Sequence, residues 1–155
     1  LDNLEFQNVD SDAIDLDFSD GKINRSKFKN IGNDAIDLSG SIVSLNKILL
    51  NNVGDKAISV GERSVLSAQN IDIKNAFIGV ASKDLSNTKF NYLSIEKTKI
   101  CLAAYQKKSE YGPGFIKIRE NKIDCEEDYL LEPESKINAY LPNSKNVYNL
   151  IYNNQ

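Results

Sequence analysis

The pentapeptide Asp-Ala-Ile-Asp-Leu occurs twice, at residues 12–16 and 34–38, inside longer stretches that nearly match: NVDSDAIDLDFS and NIGNDAIDLSGS. A fixed spacing of this kind signals a stacked repeat, and it can be followed down the chain. Taking Phe6 as a marker, the equivalent apolar residues read as Phe28, Leu50, Ile73, Ile95 and Ile118, in steps of 22 or 23. A second column reads Ile14, Ile36, Ile58, Val80 and Leu102. A third begins Leu16, Leu38 and Val60, then turns small at Ser82 and Ala104. Within each unit apolar residues alternate over three to five positions with many β-branched side chains, which predicts short strands. Segments such as DFSDGK, SGS and VGE separate them as turns.

Short strands at constant register predict an all-β chain: a right-handed parallel β-helix, a solenoid of about six coils of 22–23 residues. A single coil of this kind buries little by itself. Residues 1–125 are expected to form the coils. Residues 126–155 lack glycine and hold Pro133 and Pro142, and are expected to form a C-terminal cap and irregular tail. A leucine-rich repeat has a similar period, but its Asn follows the third apolar position by three residues. Here Asn8, Asn30, Asn52 and Asn75 follow by two, and the Ala-Ile-Asp-Leu arm would have no place. Asn tolerates the left-handed backbone region. These four residues are therefore expected to bend each coil and to form an internal amide ladder, as in parallel β-helices of the pectate-lyase architecture, which this sequence resembles in that respect.

Composition narrows function. Hydrophobic residues at 41% exceed what a disordered chain carries. A net charge of −3 without a Lys/Arg block argues against nucleic acid as partner. No apolar run approaches the roughly 20 residues of a membrane span. The absence of histidine excludes His-based triads and His metal sites within this sequence. The absence of methionine, even at position 1, leads us to expect further polypeptide N-terminal to Leu1. Cys101 and Cys125 read first as two free thiols, with a bridge between neighbouring repeats as the alternative.

Stacking places Asp15 against Asp37 and then Ser59, and Asp12 against Asp34 and then Lys56. Two carboxylates about 5 Å apart repel by ~0.8 kcal/mol in water and ~3 kcal/mol at an effective dielectric near 20. Lys56 supplies a counter-charge in its own column. Asp15 and Asp37 have none in theirs, so they are the candidate metal ligands, for Ca²⁺, against a simpler reading as exposed side chains splayed into solvent. A second constellation gathers Lys56, Glu62, Arg63, Lys83 and Asp84. Its ordinary meaning is a surface ion network. Its catalytic meaning is a carboxylate–lysine cleft, with Lys56, Arg63 or Lys83 as base. Tyr105 and Tyr111, in the longer turn YQKKSEYGPG, are candidates for a sugar-stacking platform.

The phrases NDAIDLSGS, VGDKAISVGE and GVASKDLS resemble the β-helix repeat regions of large bacterial surface or secreted proteins, some found with spore-coat-type kinase domains. The likeness spans roughly residues 1–110 and transfers no active site. It implies an extracellular or envelope setting and carbohydrate-related contexts; kinase signatures are absent here. The favoured expectation is a non-catalytic β-helix module of a larger bacterial extracellular or envelope protein, a rigid scaffold with a polysaccharide-contacting face. The alternative is a polysaccharide lyase or glycoside hydrolase of the β-helix type. A self-associating surface fibre is a third reading.

Overall fold

The computed structural model describes residues 1–142, which form ten strands and no helix. The first coil holds β1 (Glu5–Val9) and β2 (Ile14–Asp17). The second holds β3 (Asp20–Asn24), β4 (Lys27–Ile31) and β5 (Ile36–Ser39). From there each coil is one nearly unbroken extended segment: β6 (Ile42–Gly61), β7 (Val65–Lys83), β8 (Asn87–Tyr105) and β9 (Phe115–Leu131). Then β10 (Lys136–Asn138) begins another lap by pairing with Phe115–Lys117. Every pairing is parallel, and β6 lies on β3, β4 and β5 in turn. The chain is a parallel β-helix. β9 runs through the boundary expected between residues 125 and 126, and the far end of the expected cap, residues 143–155, lies outside the described residues.

Three corners recur in the earlier coils, where the backbone turns through the left-handed region. The first corner stacks Asn3, Arg25, Lys47 and Asn70, and the second stacks Asn8, Asn30, Asn52, Asn75 and Lys97. The third stacks Phe18, Gly40, Glu62 and Asp84. The second corner approaches its neighbours closely. A Cβ on Gly54 would sit 2.2 Å from the Gly32 carbonyl oxygen, and one on Gly32 would sit 2.4 Å from that of Asp10. Only glycine lets these turns nest.

Inward side chains pile in files. The rings of Phe6 and Phe28 stack at 4.9 Å, and the file continues through Leu50, Ile73 and Ile95. It does not pass to Ile118. Ile95 pairs with Ile123, whereas Ile118 pairs with Phe90 and belongs to the Ile23, Leu45, Ala68 file. The cause is an insertion at residues 106–114, which lengthens the last step from 22–23 residues to 28. The Ile14 and Leu16 files run in register to Leu102 and Ala104. Leu38, Leu50, Ile58, Ile73 and Leu93 are fully buried, and each such side chain contributes about 1.5–3 kcal/mol. Ser82 sits in this core with its hydroxyl donating to the Phe115 carbonyl at 3.0 Å, which removes the cost of burying it.

The two cysteines form a disulfide, Cys101–Cys125, with Cα atoms 5.8 Å apart. The reading as free thiols is therefore overturned. Cys125 pairs in register with Thr98, so the bridge runs diagonally from β8 to β9.

Candidate functional site

The Ala-Ile-Asp-Leu arm, the third side of each coil, points Ile and Leu inward and the intervening Asp outward, as a period of two requires. The outward file is Asp15, Asp37, Ser59, Ala81, Ala103 and Leu130. It passes from acidic to small to apolar along the axis. In the later coils Ile78, Ala81, Ile100, Ala103, Tyr105 and Leu130 form a second apolar cluster, outside the main core.

Two lysines act at the acid-to-apolar border. The Asp12 carboxylate accepts from the Asp34 amide at 2.9 Å, and Asp34 in turn accepts from the Lys56 amide at 2.9 Å. Lys56 Nζ pairs with Asp55 and lies 3.4 Å from Asp34. Burial holds the Asp34 carboxyl above the ordinary carboxylate range, opposed by the Lys56 amide and ammonium. Burial would lower the Lys56 ammonium, but Asp55 and Asp34 outweigh it and raise it. Lys83 reaches back from the fourth coil across Gly61, where a Cβ would meet its Cε at 2.8 Å. Its Nζ donates to Ser59 Oγ at 2.9 Å and lies 4.0 Å from Asp37 Oδ1. That oxygen is buried and has no hydrogen-bond partner. Burial lowers the Lys83 ammonium, with Asp37 opposing and Lys107 and Lys56 reinforcing.

Asp15 and Asp37 are register neighbours. Burial, then Asp17, Asp37 and Asp12, push the Asp15 carboxyl up. A counter-charge for Asp37 exists after all, arriving from Lys83 two coils away. Among the described residues no group of three or more Asp, Glu, Cys or His gathers to hold a metal ion. Two carboxylates with an ammonium beside one of them fall short of the six to eight oxygens Ca²⁺ takes.

Glu62, Arg63 and Asp84 do other work, at the third corner, where they fasten the insertion. Glu62 pairs with Lys108, and Arg63 lies over the Tyr111 ring at 5.5 Å. Asp84 is buried, and its Oδ1 accepts from the Lys107 and Lys108 amides at 2.7 and 2.8 Å. Gln106 spans the loop, donating to the carbonyls of Lys108, Ser109 and Tyr111. Tyr105 is buried in the second apolar cluster, so it offers no stacking surface; Tyr111 is half-buried beneath Arg63.

The asparagines lie along the outside of the second corner, not within the core. Asn30 donates to Asn8 at 2.8 Å and Asn52 to Asn30 at 2.9 Å. Asn75 reaches Asn51 instead of Asn52, at 2.8 Å, beside a bulge between Val53 and Lys56. Their positive φ bends the chain, and the amides pair across coils at the surface. A second ladder was legible but unread: Ser19, Ser41, Ser64 and Ser86 recur at 22–23 residues. The Ser19 amide donates to Ser41 Oγ and the Ser41 amide to Ser64 Oγ, both at 2.9 Å.

On the second side of the coils the outer face forms a shallow trough. Lys27, Lys29 and Lys74 rise around Leu49, with Glu5, Asn51 and Asp72 completing the lining. Arg25, Lys47 and Asn70 extend it over the first corner. Leu49 is 45% exposed at its centre. Arg25 pairs with Asp2 and Lys74 lies 3.4 Å from Glu96, so the positive excess on this face rests on Lys27, Lys29 and Lys47 against Glu5 and Asp72, on a chain of net charge −3. The alternation Lys-Phe-Lys at residues 27–29 was its sequence signal.

The described residues include no helix long and apolar enough to cross a membrane. Comparison with protein-family models, with curated proteins and with solved structures returns no match.

Proposed function

We propose that this chain is a non-catalytic β-helix module of a larger bacterial extracellular or envelope protein, a rigid scaffold whose second side contacts acidic carbohydrate. The observation that carries this reading is how the charged side chains are used. Lys56, Lys83, Glu62 and Asp84 each bind another part of the coil stack, whereas Lys27, Lys29 and Lys47 stand exposed around the trough. A solenoid side is straight and evenly spaced, with coils about 4.8 Å apart, which suits an extended polymer. Electrostatic complementarity with carboxylated sugars favours encounter and is weakened by salt. The test is a glycan array of acidic and neutral polysaccharides, repeated with a Lys27→Glu, Lys29→Glu, Lys74→Glu variant. Salt-sensitive binding to acidic glycans, lost in the variant, is expected. Silence across the array would leave only the scaffold role.

One observation favours the lyase alternative. Lys83 is an amine held below its usual range by burial, beside a carboxylate, which is the character of a proton-abstracting base. Its 8% exposure gives a polymer little access. Incubation with uronate polymers, monitored for unsaturated products, tests it. Activity that survives Lys56→Ala, Arg63→Ala and Lys83→Ala would exonerate all three bases.

A further inference from the structure

We propose that Lys83 and Asp37 condense into an intramolecular isopeptide bond that staples the fourth coil to the second. The geometry is unusual for an ion pair. The lysine stem lies flat over Gly61, in a space any side chain at that position would fill, and so spans the intervening coil. It delivers Nζ to within 4.0 Å of Asp37 Oδ1, an oxygen with no hydrogen bond and no solvent. A buried carboxylate oxygen left in that state is costly, and amide formation removes it. The Lys83 side chain is 10% exposed and that of Asp37 24%, so the amine end of the pair is largely shielded from water.

The surrounding groups fill the roles the chemistry needs. Burial lowers the amine towards its neutral, nucleophilic form, against Asp37 and Asp34 and with Lys107 and Lys56 assisting. Ser59 Oγ accepts one amine proton and orients the nitrogen. Asp15, next to Asp37 in register, stands where it can relay a proton; burial, then Asp17, Asp37 and Asp12, push its carboxyl up. Asp34 is the other carboxyl whose charge bears on the pair. The Lys83 lone pair attacks Asp37 Cγ, a C–N bond forms, and one C–O bond breaks. The departing oxygen leaves as water with two protons. One ammonium and one carboxylate vanish together, so net charge is unchanged and no oxidant is required. Fixing both partners on a rigid stack offsets the unfavourable condensation in water.

The experiment is intact-mass analysis of the full chain after reduction of Cys101–Cys125, followed by proteolytic mapping. The expected result is a mass one water below that of the sequence and a branched peptide joining the segments that contain Asp37 and Lys83. Lys83→Arg and Asp37→Ala should each restore the full mass, and Ser59→Ala and Asp15→Asn should each slow the loss. A wild-type protein of full mass overturns the proposal. So does a water loss that maps to Asp20–Gly21, where an ordinary succinimide would form. Neither result bears on carbohydrate binding by the trough, since the two sites lie on different sides of the coils.

Discussion

Replacing Cys125 with alanine, with the wild-type protein under reductant as a second route, unties β9 from β8. The bridge closes a loop across a sequence separation of 24. In the chain-entropy account such a loop restrains the unfolded state by ~3.5 kcal/mol at 25 °C. In a globular core this would spread over the whole molecule. In a solenoid each coil contacts mainly its neighbours, so stability is local and a terminal coil can open alone. The loss should therefore fall on the sixth coil. Amide exchange in Phe115–Leu131 should accelerate by up to roughly 300-fold, since each 1.36 kcal/mol is a factor of ten. Exchange in β6 and in the first half of β7 should change less than about twofold. Hydrogen exchange read by mass spectrometry of proteolytic fragments resolves these segments. An equal acceleration from β6 through β9, or an unchanged sixth coil, would refute the argument.

Gly54→Ala should destabilise the fold by about 1–3 kcal/mol in urea unfolding, because its methyl would meet the Gly32 carbonyl at 2.2 Å; a loss under ~0.5 kcal/mol would mean the turn relaxes freely. Asp34 has its carboxyl raised above 3.8, so the native state holds more protons than the unfolded chain just above that pH, and stability falls as pH rises through the folded value. Asp34→Asn lacks this loss and keeps an acceptor for the Lys56 amide. It should gain on wild type from below pH 3.8 towards neutrality, and parallel stability profiles would contradict the assignment. Asp84→Ala should free the Lys107 and Lys108 amides and open residues 106–114 to limited proteolysis at least tenfold faster; unchanged cleavage would show that Arg63, Glu62 and Gln106 hold the loop without it.

The files of Phe6, Ile14 and Leu16 were legible because one substitution class repeats at one spacing, and burial enforces it. The same logic failed at Ile118. A constant step was carried across YQKKSEYGPG, whose Gly and Pro announced a turn but not that it displaces the next coil by five or six residues. The disulfide was hidden for the same reason. Cys101 and Cys125 are 24 apart across a step of 27, so no column connects them. Among charged residues, register foretold one partnership, Lys56 with Asp34, and otherwise only neighbours. It set Glu62 beside Asp84, and the Arg63 amide does donate to the Asp84 carbonyl at 2.8 Å. The side chains, however, turn to a loop that periodicity says nothing about. Lys83 was grouped with them, yet its long stem carries it two coils back to Asp37. The lysine trough went unread because outward residues on a strand repeat as faithfully as inward ones but carry no burial signature.

The insertion at residues 106–114 also shows what this architecture tolerates. Pairing resumes cleanly beyond it, Asn87 on Phe115 and Thr88 on Ile116, as though nothing had been added. The third corner is thus a socket: foreign peptide spliced between neighbouring laps there projects sideways while the winding on either side keeps time. Equivalent seams exist at Gly40 and at Arg63, so one shaft offers several evenly pitched mounting points for guest loops along a single edge.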